Sequence, residues 1–148
     1  MSFAHKPVLY EETIALLNVQ PGGIYVDCTL GGGGHSAGLI ANSGPNGLVI
    51  GIDADREAIK AATQALRSYG NRFIAVEGNF RRLDEILTKL RIAAVDGFLF
   101  DLGVSSYQFD TPERGFSYRY DAPLDMRMDR SQKTTAYHLV NGLTADEL

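Results

Sequence analysis

The chain has 148 residues, of which 45% are hydrophobic and 22% are charged, and its formal net charge is −4. This length suits one ordinary domain, and the composition excludes a wholly disordered chain. The acidic balance argues against binding of nucleic acid by bulk positive charge, and no apolar run approaches the roughly 20 residues that span a membrane. The single cysteine, Cys28, cannot form an internal disulfide, which fits a reducing compartment. We therefore expect a soluble cytoplasmic protein with no membrane partner.

Helical and strand periodicities alternate along residues 10–102. The spacing of apolar residues predicts helices over residues 10–18, 35–41, 55–69 and 81–90, and strands over residues 24–30, 48–53, 73–76 and 95–102. In the first helix, Ile14, Leu16 and Leu17 form the apolar face. The second strand is apolar on both faces, which is typical of a strand inside a parallel sheet. This order predicts an α/β fold with a parallel, doubly wound sheet of about four strands.

The pattern changes after Gly103. Residues 104–130 are polar and contain no clear strand, whereas residues 134–140 are predicted to be helical. Residues 143–148 resemble the start of another helix, with a threonine cap followed by acidic residues. A doubly wound sheet needs further strands on the other side of the first strand, and the sequence shows none. We therefore expect the chain to be the N-terminal portion of a longer protein, with an incomplete sheet.

Four consecutive glycines, residues 31–34, join the first predicted strand to the second predicted helix. Glycine in such a turn lets the backbone approach a ligand that a Cβ atom would repel. The spacing Gly32-x-Gly34-x-x-Ala37 fits the dinucleotide fingerprint in its Gly/Ala form. The acid-x-Gly-x-Gly-x-Gly spacing of S-adenosylmethionine (SAM) sites fits better, with Thr29 in place of its first glycine. A ligand loop is favoured over a purely structural turn, and both NAD and SAM remain open as its ligand.

Acidic and aromatic residues follow the later strands. Asp53 ends the second strand, 22 residues after Gly31, and is placed to accept hydrogen bonds from ribose hydroxyls, which disfavours NADP because a 2′-phosphate would be repelled. Asp55 is predicted to cap the next helix. Phe80 could stack on an adenine ring or pack within the structure. Asp101, at the end of the fourth strand, could accept a proton or hydrogen bond from a nucleophilic amine.

Four segments of the sequence carry a family resemblance: residues 5–12, 32–36, 101–108, and 114–117 with 123–129. The last is the most specific, because it joins Arg-Gly-Phe-Ser to Pro-Leu-Asp-Met-Arg-Met-Asp. The chain resembles the N-terminal portion of the bacterial SAM-dependent methyltransferases that modify the N4 amine of a cytosine in small-subunit ribosomal RNA, the MraW/RsmH family. The resemblance spans essentially the whole chain. It implies a Rossmann-like SAM-dependent methyltransferase fold, of which members about twice this length carry further strands.

The resemblance also implies a site and partners. Residues 1–103 would be a SAM-binding half-domain, and residues 104–148 would be a substrate loop followed by the start of a truncated helical insertion. The implied SAM contacts are Gly33, Gly34, His35, Asp53, Phe80, Asp101 and Gln108. Asp101 is in addition the candidate catalytic acceptor, and no metal is expected. The implied substrate is a cytosine of 16S ribosomal RNA in the 30S subunit, which must be unstacked to enter the site.

Two alternatives remain open at the level of function. The chain could be a fragment of an NAD-binding oxidoreductase, or an inactive fragment that forms a homodimer through an exposed apolar sheet edge. Cys28 is expected in the core, which disfavours C5 methylation by a cysteine nucleophile. Several basic residues could bind phosphate or form ion pairs within a solvated loop: Arg114, Arg119, Arg127, Arg130 and Lys133. The alternating aromatic residues could stack on bases or form a short half-buried strand: Phe116, Tyr118 and Tyr120.

Overall fold

The computed structural model describes residues 7–148, and the strands within this range form a four-stranded parallel sheet. The strands are β1 (Ile24–Asp27), β2 (Leu48–Asp53), β3 (Phe73–Glu77) and β4 (Gly97–Leu99). Their order is β3-β2-β1-β4, and every neighbouring pair is parallel. Because β4 pairs with β1 on the side opposite to β2, the direction of winding reverses at β1. The predicted parallel, doubly wound sheet is confirmed. In open α/β sheets, ligands bind at the carboxyl ends of the strands where the winding reverses, which here is the end of β1.

Six α-helices lie within the described residues. They are α1 (Tyr10–Leu16), α2 (Gly34–Asn42), α3 (Arg56–Ala65), α4 (Leu83–Lys89), α5 (Ser106–Asp110) and α6 (Ala136–Gly142). Short 3₁₀ turns occur at Arg67–Arg72, Phe80–Arg82 and Pro112–Arg114. The Asp55 carboxylate accepts a hydrogen bond from the Glu57 N–H at 3.0 Å and so caps α3, as predicted. None of the helices in residues 7–148 is long and apolar enough to cross a membrane.

Each face of the sheet buries its own set of side chains, because successive strand residues point to opposite faces. On one face, packed by α1 and α2, the buried residues are Tyr25, Leu39, Ile40, Val49 and Leu66. On the other face, packed by α4, they are Val26, Cys28, Ile50 and Ile52. Burial of each large aliphatic side chain contributes about 1.5–3 kcal/mol. These two layers fix the carboxyl ends of the strands relative to one another.

Some element boundaries differ from those predicted. The first strand ends at Asp27 instead of residue 30, because the chain turns there and the Thr29 N–H donates to the Asp27 carboxylate. The fourth strand covers Gly97–Leu99 alone instead of residues 95–102, since it pairs with β1 only among the described residues. Leu16, predicted to be in the apolar face of α1, is exposed, whereas Ile14 and Leu17 pack against the core.

The segment after β4 contains one helix that the sequence interpretation missed. Helix α5 begins with a capping box, in which the Ser105 hydroxyl accepts from the Gln108 N–H and the Gln108 side chain accepts from the Ser105 N–H. The Ser-x-x-Gln signal for this cap is present in the sequence. The alternative of a short strand through Phe116, Tyr118 and Tyr120 is wrong, because these residues form turns and irregular structure.

The chain divides into two compact units, one ending at Leu102 and the other formed by Gly103–Leu148. In the second unit, the buried guanidinium of Arg114 donates to the carbonyl oxygens of Arg127 at 3.0 Å and of Met128 at 3.1 Å. The Arg127 guanidinium in turn forms a bidentate pair with Asp125, with both N–O distances 2.8 Å. The guanidinium groups of Arg114 and Arg127 therefore bind groups within the second unit, which disfavours the alternative that these two residues bind phosphate.

Acid is expected to destabilise the second unit through Asp125. The hydrogen bonds from the Arg127 side chain lower the pKa of Asp125 from 3.8 to about 2. A carboxyl whose pKa falls on folding contributes stability above its unfolded pKa, and this stability is lost as the pH falls through the folded pKa. We therefore expect the unfolding temperature of this unit to fall between about pH 4 and about pH 2, and to fall less in Asp125→Asn. Scanning calorimetry measures the difference, with Asp121→Asn as an exposed control; equal pH dependence in all three proteins would contradict the assignment.

Candidate functional site

The glycine loop, residues 30–34, lies at the carboxyl end of the sheet between β1 and α2. Gly31 and Gly33 have φ values of +50° and +84°, which glycine adopts without the penalty that a Cβ atom imposes. A Cβ atom on Gly31 would contact only the Thr29 carbonyl oxygen within 4 Å, at 3.9 Å. The backbone at Gly31 is therefore open to a ligand, as a ligand loop requires.

Two other glycines of the loop, Gly33 and Gly34, make close contacts within the protein. A Cβ atom on Gly33 would lie 3.1 Å from Leu66 and 3.2 Å from Ala62, so this glycine lets the loop pack closely beside α3. A Cβ atom on Gly34 would lie 2.4 Å from the Pro7 side chain. The glycine run thus combines an open backbone, as the favoured interpretation of a ligand loop expects, with two close internal contacts of the kind that a structural turn makes.

Asp27, the acid of the SAM-type spacing, is fully buried beneath the loop. Its carboxylate accepts a hydrogen bond from the Ser36 hydroxyl at 2.7 Å and another from the Thr29 N–H at 3.2 Å. Burial raises the pKa of Asp27, while these hydrogen bonds oppose the rise. Asp27 therefore fastens the first turn of α2 to the end of β1. Ser36 had not been singled out in the sequence.

Asp53 holds the glycine loop from the end of β2. One carboxylate oxygen accepts from the Gly31 N–H at 2.8 Å, and the other accepts from the Asp55 N–H at 2.9 Å. Burial raises the pKa of Asp53, partly offset by these backbone hydrogen bonds. Each carboxylate oxygen has a second lone pair, so Asp53 can position the loop and still accept a hydrogen bond from a ligand hydroxyl.

Asp101 follows β4, and its side chain is 51% exposed. Its N–H donates to the Thr29 hydroxyl at 2.7 Å, and one carboxylate oxygen lies 3.8 Å from Nδ1 of His35. Thr29 stands where the SAM-type spacing has a glycine, and its hydroxyl is what fixes the backbone of Asp101. The structure thus brings Asp101, His35 and the glycine loop together, with the Asp101 carboxylate accessible to a small molecule.

The two remaining predicted SAM contacts are Phe80 and Gln108. Phe80 follows β3 and packs edge-to-face on Phe100, with ring centroids 5.6 Å apart and planes at 87°. The Phe80 side chain stays partly exposed, which is compatible with stacking on a base. Gln108 lies in the second unit, where it is buried and caps α5. Its role as a SAM contact stays a prediction.

The carboxyl ends of β2 and β4 carry two carboxylates that are not buried, Asp53 and Asp101, whereas Asp27 at the end of β1 is fully buried. Acidic groups around an open backbone suit a ligand with ammonium, sulfonium or hydroxyl groups. They oppose a ligand with a pyrophosphate, which would bring negative charges against them. Among the candidates considered, this charge pattern favours SAM over NAD.

A comparison with family models settles the affiliation of the chain. Residues 2–148 match the model described as the MraW methylase family. The chain belongs to the MraW methylase family. The match includes the four segments that carried the resemblance in the sequence; of the first of these, residues 5 and 6 lie outside the described residues.

Two individual proteins are similar to this chain. A relative named ribosomal RNA small subunit methyltransferase H, from Symbiobacterium thermophilum, is 50% identical over 148 residues, which is 100% of this chain and 46% of that protein. A crystal structure of a protein assigned as an rRNA-methylase, from Clostridium thermocellum, aligns with a TM-score of 0.53 at 23% identity, over 65% of this chain and 54% of that one. The second similarity supports the Rossmann-like methyltransferase fold. The chain therefore spans less than half the length of the relative from Symbiobacterium thermophilum.

Cys28 lies in the core of β1 and its turn, as predicted. Burial raises the pKa of its thiol to about 12. Because the thiolate is the reactive form of cysteine, Cys28 is an inert core residue, and covalent attack on a base from this position is disfavoured.

Proposed function

We propose that this chain is the cofactor-binding portion of a methyltransferase that transfers a methyl group from SAM to the N4 amine of a cytosine in 16S ribosomal RNA. Membership of the MraW methylase family and 50% identity to a protein named ribosomal RNA small subunit methyltransferase H support the proposal. The observation that carries it is the open backbone at Gly31 at the same edge of the sheet as the half-exposed Asp101. A cytoplasmic location follows from such a substrate.

The residues of the site fit SAM by their chemistry. Gly31 leaves the backbone accessible, and Gly33, Gly34 and His35 form the turn against which the methionine end would lie. Asp53 would accept hydrogen bonds from the ribose hydroxyls, and Phe80 would stack on the adenine. Gln108 is proposed as a further contact.

The N4 amine of cytosine is a weak nucleophile because its lone pair is conjugated with the ring. SAM supplies an electrophilic methyl group on a sulfonium sulfur. As the nitrogen lone pair would form the new N–C bond, the S–CH3 bond would break and its electron pair would leave with sulfur as the neutral thioether, so that positive charge would develop on the amine and its N–H would become a stronger donor. The Asp101 carboxylate would accept this hydrogen bond, orient the lone pair and receive the proton that leaves. The Thr29 hydroxyl fixes the backbone of Asp101 during this step.

The RNA partner would be bound as an unstacked base, because a base within a duplex cannot reach a pocket at the end of a sheet. In the second unit, the exposed Tyr118 is available for stacking on RNA bases. Arg119 lies over the ring of Phe109, 5.2 Å from its centroid. We propose the small-subunit RNA in the 30S particle as the substrate of the whole protein.

The decisive experiment uses labelled SAM with unmethylated small subunits and compares the full-length protein with the 148-residue chain. We expect N4-methylcytosine from the full-length protein. Calorimetric titration of SAM and NADH into each protein separates the cofactors, and we expect SAM to bind. Binding of NADH without SAM would replace the methyltransferase by the oxidoreductase alternative, and absence of N4-methylcytosine would refute the substrate.

The edge of β4 supports a further expectation of homodimerisation by the 148-residue chain. Phe98, Phe100 and Leu102 are 41%, 49% and 72% exposed. Apolar side chains next to an unpaired strand edge favour association with another copy. Light scattering is expected to show dimers at micromolar concentration, and Phe98→Lys is expected to restore the monomer. A monomeric 148-residue chain at high concentration would contradict this expectation.

A further inference from the structure

Residues 7–10, called here the N-terminal strap, lie directly on the first turns of α2. Pro7 is the neighbour that a Cβ atom on Gly34 would strike, at 2.4 Å. One helical turn later, a Cβ atom on Gly38 would lie 2.6 Å from the Tyr10 hydroxyl and 2.7 Å from its ring. Two glycines of α2 therefore accommodate the strap, and the strap covers the helix that the glycine loop opens.

His35 joins the strap to the site. Its Nε2 lies 2.9 Å from the Val8 carbonyl oxygen, and because that oxygen can only accept, Nε2 carries the proton. The ring of Tyr10 stacks on the imidazole at 6.3 Å with an interplanar angle of 18°. On its other side the imidazole faces Asp101 at 3.8 Å. The strap thus contacts and orients His35, a side chain of α2 that faces the Asp101 carboxylate.

The backbone of the strap is held in an unfavourable conformation. Leu9 has φ +48° and ψ +40°, the left-handed region that a leucine side chain disfavours. Such conformations persist only where the surroundings enforce them, and they concentrate at functional sites. The Leu9 carbonyl accepts from the Thr13 N–H at 2.8 Å, so the turn at Leu9 directs the chain from the strap into α1.

We propose that the N-terminal strap is part of the SAM site: it holds the first turn of α2 in the conformation that binds the cofactor, with His35 as the positioning residue through which it acts on Asp101. This inference rests on the proposed function. Without the strap, the loop would occupy several conformations, and its affinity for SAM would fall by the fraction of time spent in the competent one.

The test is a calorimetric titration of SAM into the full-length protein and its variants. Gly38→Ala places a methyl group against the tip of the Tyr10 side chain, which displaces the Tyr10 ring of the strap without substituting any residue proposed to contact SAM. We expect its affinity for SAM to fall about tenfold, as for a loop that is competent about a tenth of the time. Gly142→Ala is the matched control, because that glycine is also helical and a Cβ atom there meets nothing within 4 Å; its affinity should be unchanged.

A second pair of variants separates positioning from general stability. Tyr10→Phe keeps the ring on His35 and should bind SAM as the wild type does, whereas Tyr10→Ala should bind about tenfold more weakly. Hydrogen exchange at the Ala37 amide, which donates to the Gly33 carbonyl at 2.9 Å, should quicken in Gly38→Ala and Tyr10→Ala.

The outcomes distinguish the two proposals. Wild-type affinity in Gly38→Ala, with unchanged exchange at Ala37, would overturn the role of the strap and leave the proposed function standing. Failure of the wild type itself to bind SAM would overturn the proposed function and the strap's role with it. Equal weakening in Gly142→Ala would show a general effect of helix substitution and would also overturn the role of the strap.

Discussion

Replacement of Asp101 by alanine is expected to lower kcat of the full-length protein about 100-fold or more, which is the range for loss of a general base. The reason is that its half-exposed carboxylate is the acceptor proposed for the amine proton, and the Thr29 hydroxyl holds it in place. Asp101→Asn keeps an oxygen that can accept a hydrogen bond but removes the charge, so its kcat should lie between those of the wild type and the alanine variant. Single-turnover rates of methyl transfer at saturating SAM measure the effect.

Two controls separate the acceptor role from cofactor binding. Asp84→Asn changes an exposed carboxylate on α4 and should leave kcat unchanged. The affinity of each Asp101 variant for SAM is measured separately by calorimetry, because Asp101 is also a predicted SAM contact. A variant that binds SAM weakly but reaches wild-type kcat at saturation would refute the acceptor role.

Replacement of Arg114 by alanine is expected to destabilise the second unit by about 3 kcal/mol or more. The Arg114 side chain is 2% exposed and donates to two carbonyl oxygens. Removing it breaks two hydrogen bonds from a charged donor, and each such bond contributes about 1.5–3 kcal/mol. Arg114→Lys should recover little of the loss, because a single ammonium lacks the planar fork of donors.

Hydrogen exchange at the Met126 amide reports on this unit, because that N–H donates to the Arg114 carbonyl at 3.0 Å. Arg119→Ala is the matched control: its guanidinium is exposed and lies over the Phe109 ring, an interaction of about 0.5–1 kcal/mol. Comparable protection of Met126 in the wild type and in Arg114→Ala would show that the buried arginine does not hold the loop.

The sheet could be predicted from the sequence because burial and periodicity agree along β2. The side chains of β2 point alternately to the two faces of the sheet, and both faces are packed against helices. The apolar run over residues 48–53 is therefore enough to predict a buried strand. The fourth strand was predicted too long, over residues 95–102 instead of Gly97–Leu99, because the prediction relied on the apolar run around Phe98. An apolar run predicts a buried strand, but the length of that strand depends on the neighbouring strands with which it pairs, and the run does not specify them.

The site could be predicted in part. The positions of Asp53 and Asp101 follow from the rule that strands of a parallel sheet end at one edge. The burial of Asp27 does not follow, because it depends on the Ser36 hydroxyl reaching back from α2. The contact of the strap with Gly38 also could not be predicted. It is possible because Gly38 has no Cβ atom where the Tyr10 side chain lies, and the sequence does not indicate which distant residue packs against a given glycine.

The pairing of β4 with β1 also has a consequence for the order of folding. The Ile24 N–H donates to the Asp96 carboxylate, and the Asp101 N–H donates to Thr29, each across 72 residues of sequence. Closing so long a loop costs entropy before any contact compensates for it. Strands β1 and β2 can pair earlier, so Asp101 joins the glycine loop late. In pulsed hydrogen exchange, the Asp101 amide should become protected after the amide of Ile50; simultaneous protection would contradict this order.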